Sequence, residues 1–245
     1  MYTLYFVFAI ILIQLIMSEF RAIAQEVCSN IESKATLNDG NSIPYFGLGV
    51  YQARNGGETE NAVYDALIAG YRHVDTAEIY RNEEDVGRGV RKFLEETGLS
   101  RKDIWVTTKS FPSQGRGKGA VKDALTASLA RLQLDYVDLY LMNAPIDKQL
   151  RLEQWQAFEE LKDEGLTKSI GVSNYGIHHI QELLAISKYK PSINQVDQKH
   201  LFKHLFLNQL CCFVQKLKSI LTLQEKIWLT IAHRRESLLN LLQGS

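Results

Sequence analysis

Of 245 residues, 45% are hydrophobic and 23% charged, and 28 basic side chains cancel 28 acidic ones. That balance excludes a long disordered tail or a collagen-like fibre, and zero net charge leaves no basic excess for gripping nucleic-acid phosphates. The length holds one or two domains and suits a single α/β barrel of about 250 residues.

The chain opens with MYTLYFVFAIILIQLIM, which carries no charge, followed by Ser18-Glu19-Phe20-Arg21 and then Ala22-Ile23-Ala24. The run has the length of a secretory core with a small-residue cleavage pattern, and falls short of the about 20 residues that span a bilayer. No Lys or Arg precedes it, and Met17 offers a second start, MSEFRAIAQ. Residues 1–24 are therefore a signal peptide or membrane anchor if translation starts at Met1, and a membrane is a partner only then. The expected location is otherwise cytoplasmic. Cys28, Cys211 and Cys212 are odd in number, and neighbours in sequence bridge poorly. No metal-ligand spacing is present, so no metal is expected.

Regular structure is expected from Lys34. Ala35–Leu37 and Ser42–Pro44 flank Asn38-Asp39-Gly40, a hairpin turn. Phe46–Tyr51 is expected as a strand, and Glu58–Ala69 as a helix stopped by Gly70. Strand Tyr71–Asp75 precedes helix Glu83–Glu96, with Gly98 at its end. Strand Ile104–Thr108 precedes helix Ala120–Leu132, and strand Val137–Leu141 precedes helix Glu153–Glu164, stopped by Gly165. Strand Ser169–Val172 precedes helix Ile177–Ile186, and Ile193–Val196 is one more strand.

Six short apolar strands separated by amphipathic helices predict a parallel sheet covered by helices. A doubly wound sheet and a (β/α)₈ barrel both fit the pattern. No G-x-G-x-x-G follows the Phe46 strand, and the glycine-rich run Gly115–Gly119 comes after the third repeat, where a surface loop is expected. The barrel is favoured, incomplete at about six βα units and followed by a helical tail.

In a barrel the strand C-termini converge on the active-site face. Here they bring Asp75, Lys109, Asn143, Ser173-Asn174 and Gln195, with Tyr80 in the loop after Asp75. Taken singly these have ordinary roles: Asp75 as a helix cap, Lys109 as a solvated loop lysine, Tyr80 as a packing residue. Together they form a proton-transfer device. A phenol titrates near 10 and is a slow acid at neutral pH. A nearby ammonium lowers that pKa, and an aspartate holds the ammonium charged and in place. The phenol can then protonate a carbonyl oxygen as hydride reaches its carbon.

The stretches GLGVYQ, GYRHVDTAEIYRNEEDVGRGVR, DIWVTTKS, DYVDLYLMNAP, LKDEGLTKSIGVSNYG and PSINQVD closely resemble the aldo-keto reductase family, in family order and spacing from Leu37 to Asp197. The resemblance implies a (β/α)₈ barrel that reduces aldehydes or ketones with a nicotinamide cofactor, usually NADPH (NADP+ in the reverse direction), without metal or flavin. It places Asp75, Tyr80 and Lys109 on three members of the catalytic tetrad, with Tyr80 as general acid. It places Ser173, Asn174 and Gln195 where the nicotinamide carboxamide is held. Gly49, Val50 and Tyr51 fall where the first strand approaches cofactor and substrate. Asn82, Glu83 and Glu84 are expected as helix cap and first-turn acids.

Two departures stand out. Asn143 occupies the place where the family carries a histidine that orients the carbonyl. Asn still donates from its amide, but losing one well-aimed donor commonly costs about 10²–10³ in rate. None of the six histidines is equivalent. After Asp197 the resemblance is expected to stop. In the divergent helical tail, residues 198–245, the stretch Leu201–Ser245 has no proline and no glycine before Gly244, and carries Lys203, Lys216, Lys218, Lys226, Arg234 and Arg235 against Glu225 and Glu236. That change is what a frameshifted or mis-spliced reading would give. It takes away the part where the family holds the cofactor's phosphates. The expected function is therefore carbonyl reduction at a weakened Asp-Tyr-Lys site. The alternative is a catalytically inactive binding, regulatory or truncated member.

Overall fold

The structure, a computed structural model, describes residues 30–111, 117–145 and 147–196. The N-terminal apolar segment, the cysteines, Gly115 and Arg116 of the glycine-rich run and the tail after Val196 lie outside the described residues; the rest of that run, expected as a surface loop, caps and begins the helix that starts at Lys118. Among the described residues no helix is long and apolar enough to cross a membrane.

Strands β1 (Lys34–Thr36) and β2 (Ser42–Pro44) form the expected antiparallel hairpin. Six further strands make one parallel sheet: β3 (Leu48–Gly49), β4 (His73–Asp75), β5 (Trp105–Ser110), β6 (Val137–Met142), β7 (Thr167–Ser173) and β8 (Asn194–Gln195). Between them run helices α1 (Glu58–Ile68), α2 (Glu83–Thr97), α3 (Lys118–Leu132), α4 (Lys148–Asp163) and α5 (Ile177–Leu184). The spatial order is β3-β4-β5-β6-β7-β8, each strand beside its predecessor. A doubly wound sheet reverses direction at a switch point. This one never does, which selects the incomplete (β/α)₈ barrel.

Both faces of the sheet are buried, and alternation along each strand divides two cores. On β6, Tyr140 and Met142 join the cluster under the helices, while Leu139 and Leu141 point inward to Trp105, Ile193 and the hairpin's Ala35, Leu37 and Ile43. The hairpin therefore plugs the ring. Its turn is tied to the far side of the sheet, because Asp39 Oδ2 accepts from Lys162 Nζ at 2.9 Å and from Ser192 Oγ at 3.1 Å. Burial opposes ionisation of the Asp39 carboxyl, but Lys162, Ser169 and the Asn41 main chain together hold it below the usual range.

Several boundaries differ from expectation. The Phe46–Tyr51 strand shrinks to Leu48–Gly49, because Phe46 is exposed and only two residues find partners on β4. Helices α3 and α4 begin earlier than their apolar pattern, at Lys118 and Lys148; polar first turns are invisible to a hydrophobic period, and Asp147 caps α4 by accepting from Leu150 N. α5 stops at Leu184 instead of Ile186. β5 runs on to Ser110, so Lys109 lies inside the strand, 2% exposed, and is no solvated loop lysine. The expected stops Gly98 and Gly165 adopt φ of 71° and 78°, which an L side chain resists.

Candidate active site

Period-two alternation aims every second strand residue into the ring. Register puts Asp75 beside Thr107, and Lys109 beside Leu141, so both charges lie in the upper layers of the interior. After Asp75 the chain turns through Thr76 and Ala77 into a single 3₁₀ turn, Glu78–Tyr80, which lays the phenol over the end of β5.

Lys109 Nζ donates to Asp75 Oδ1 at 2.6 Å, to the Thr76 carbonyl at 2.9 Å and to Tyr80 Oη at 3.2 Å. Asp75 is 4% exposed. Withdrawing an ammonium from water costs several kcal/mol unless partners replace the solvent, and here all three of its hydrogens have one. The sequence predicted that Asp75, Tyr80 and Lys109 meet, and the distances place them in contact. Thr76 was missed because its contribution is a main-chain carbonyl, which no side-chain pattern reveals.

The electrostatic outcome differs from the sequence expectation. Burial pushes the Tyr80 phenol above its ordinary value, and the Lys109 charge and hydrogen bond only partly offset this. The ammonium is already claimed by Asp75, whose negative charge also raises the phenol. An ion pair presents its neighbour with a dipole, a weaker field than a lone cation would give.

Ser173, Asn174, Gln195 and Asn143 gather on the far side of the mouth. Ser173 Oγ donates to the Gln195 carbonyl at 2.9 Å, and Asn174 Nδ2 donates to Ser173 Oγ at 3.2 Å and to the Asn143 carbonyl at 3.4 Å. Asn174 takes a left-handed φ of 61° and its side chain is exposed. Gln195 Nε2 donates to Asp75 Oδ2 at 3.1 Å, which joins this group to the ion pair. The set is one hydroxyl and neutral amides, and its donors and acceptors match a carboxamide, which offers one carbonyl and one N–H₂. A nicotinamide therefore fits these residues.

Gly49 pairs with Asp75, and Val50 N donates to the Asp75 carbonyl at 3.1 Å. Tyr51 is exposed and lies against Tyr80, with ring centroids 5.0 Å apart. The Asn82 side chain caps nothing, contrary to expectation. Its Nδ2 donates to the Val50 carbonyl at 2.9 Å and its Oδ1 accepts from Thr76 Oγ1 at 2.9 Å, fastening the loop that carries Tyr51 to the turn that carries Tyr80. Glu83 and Glu84 are first-turn acids as expected, but Glu83 is buried, accepting from Thr108 Oγ1 at 2.6 Å and from Arg131 Nε at 2.7 Å. An N-E pair at a helix start looks like capping in any sequence, so no local signal separates the two cases.

The sequence model of the Aldo/keto reductase family matches residues 46–222. The chain belongs to this family. The match runs past Asp197, where the resemblance was expected to stop. An uncharacterized oxidoreductase YtbE of Bacillus subtilis is 45% identical over 169 residues, 69% of this chain and 60% of that protein. The glyoxal reductase of the same organism is 40% identical over 169 residues, 69% of this chain and 59% of its own length. The crystal structure of a Bombyx mori aldo-keto reductase in complex with NADP superposes with a TM-score of 0.64 at 36% identity, covering 72% of this chain and 63% of that one. The chain thus spans about 60% of the length of these curated relatives.

Proposed function

We propose that the protein reduces aldehydes or ketones to alcohols with NADPH, Tyr80 giving the proton. The observation that carries this reading is the Lys109 ammonium, buried in the barrel mouth and bonded at once to Asp75 and to the Tyr80 hydroxyl. Family membership, a relative named for glyoxal and a neighbour crystallised with NADP support the carbonyl and cofactor halves. Small carbonyl compounds are the substrate class, and no metal is required.

The cofactor, when bound, supplies a hydride to the carbonyl carbon. Ser173, Asn174 and Gln195 would hold its carboxamide, with Gly49, Val50 and Tyr51 at the adjoining strand end. The raised phenol pKa does not prevent the proton step. It keeps Tyr80 protonated at neutral pH, and the acceptor is a developing alkoxide, far more basic than a phenolate. As charge builds on that oxygen the Tyr80 proton moves onto it, completing the alcohol. Lys109 stabilises the phenolate left behind until solvent returns a proton.

Asn143 favours a second reading, a family member that binds without turnover. One experiment addresses both. The full chain is incubated with NADPH and methylglyoxal, and loss of nicotinamide absorbance is compared with that of Tyr80→Phe. Turnover that falls at least about a hundredfold in Tyr80→Phe supports the reductase. Equal loss in both proteins refutes Tyr80 chemistry. Absence of turnover in wild type and in Asn143→His supports the silent member.

A further inference from the structure

The Asp75 carboxylate is shared. Its Oδ1 accepts from Lys109 at 2.6 Å, while its Oδ2 accepts from Gln195 Nε2 at 3.1 Å. The Lys109–Tyr80 contact, at 3.2 Å, is the longest of the three the ammonium makes. A carboxylate free to rotate would turn both oxygens onto the ammonium, because charge-assisted bonds are the strong ones. That would draw a hydrogen from the phenol, the weakest acceptor of the set.

We infer that Gln195 is a positioning residue for proton transfer: by holding Asp75 Oδ2, it limits the ion pair to one oxygen and leaves the third Lys109 hydrogen on Tyr80. A neutral amide suits this task, since it satisfies the carboxylate without adding a charge that competes for the ammonium. The main chain of Gln195 fixes its place. Its carbonyl accepts from Ser173 Oγ at 2.9 Å and from Asn174 N at 2.9 Å, so β8 cannot shift without disturbing the end of β7. With Nε2 committed to Asp75, Oε1 has no bond among the described residues and is the natural acceptor for a carboxamide N–H. Gln195 then connects the cofactor-holding loop to the ion pair. The purpose of this device rests on the reductase reading, whereas its geometry does not.

The test uses the full chain without cofactor. Protein labelled with ¹³C at tyrosine Cζ should show a resonance for Tyr80, assigned by its loss in Tyr80→Phe. In Gln195→Met, of similar shape but with no donor, the phenol loses the Lys109 hydrogen, so the Tyr80 resonance should shift toward its position in Lys109→Met while the melting temperature stays close to wild type. Gln195→Glu sets a second carboxylate beside Asp75 that competes for Lys109 and should shift the resonance in the same direction, and it carries the test if the Met variant fails to fold. An unchanged Tyr80 resonance in the folded variants overturns the inference, including the case where only NADPH affinity falls. A shifted resonance in a chain that shows no turnover upholds the positioning and counts against the reductase reading alone.

Discussion

His73 makes stability depend on acid. The ring is 1% exposed inside the barrel, with Nε2 3.0 Å from Thr107 Oγ1 and its edge toward Trp105. Burial drives its pKa down to about 4, while Asp75 and Asp138 oppose the shift and Lys109 adds to it. In the unfolded chain a histidine titrates near 6.5. Between those values the unfolded state holds a proton that the folded state refuses, so stability from this group is complete above about pH 6.5 and drains away as pH falls toward 4. A shift of that size makes folding about 2 kcal/mol less favourable at pH 4.5 than at pH 7. Urea unfolding with a slope of about 2 kcal/mol/M would show it as a midpoint lower by about 1 M. Carboxylates contribute too, so the comparison is with His73→Gln, which is neutral at both pH values. Its midpoint should fall by about 1 M less than wild type across the same interval. Parallel pH dependence in the two proteins would refute the assignment of the loss to His73.

Asp75→Leu strands a buried ammonium and should cost about 3–5 kcal/mol in urea unfolding, most of it recovered in Asp75→Leu with Lys109→Met; an equal loss in single and double variants would show that the charge is not the cause. Asn82→Ala removes the bonds that tie Thr76 to the Val50 loop and should cost about 1–3 kcal/mol. It should also alter the near-UV circular dichroism of the Tyr51–Tyr80 pair, and an unchanged spectrum contradicts the fastening role. Gly87→Ala puts a methyl into the Leu132 carbonyl where α2 crosses the end of α3. It should lower the melting temperature although alanine is the better helix former by about 1 kcal/mol, and a rise in melting temperature would show that the crossing relaxes freely.

Alternation of strands and helices was legible in the chain itself because its causes are local. Strands buried on both faces are short apolar runs, and helices with one buried face repeat near every fourth residue and stop at glycines such as Gly98 and Gly165. The meeting of Asp75, Tyr80 and Lys109 was also legible, since strand ends of a barrel converge and the surrounding motifs are specific. Barrel over doubly wound sheet was already favoured by the missing G-x-G-x-x-G and by the family motifs, because strand periodicity alone fits both, and the order of strands in space bears that choice out. Only the folded chain reveals the shared Asp75 carboxylate, whose partner Gln195 is 120 positions away, and the bonds of Asn82 and Glu83, which go inward instead of to a helix end. The net direction of the Tyr80 pKa belongs here too, because burial and the Lys109 charge oppose one another and their balance is a matter of ångströms. Periodicity is a property of neighbours along the chain. Distances across the ring are set by sheet register and by what packs behind it, and those exist only once the strands have closed on one another.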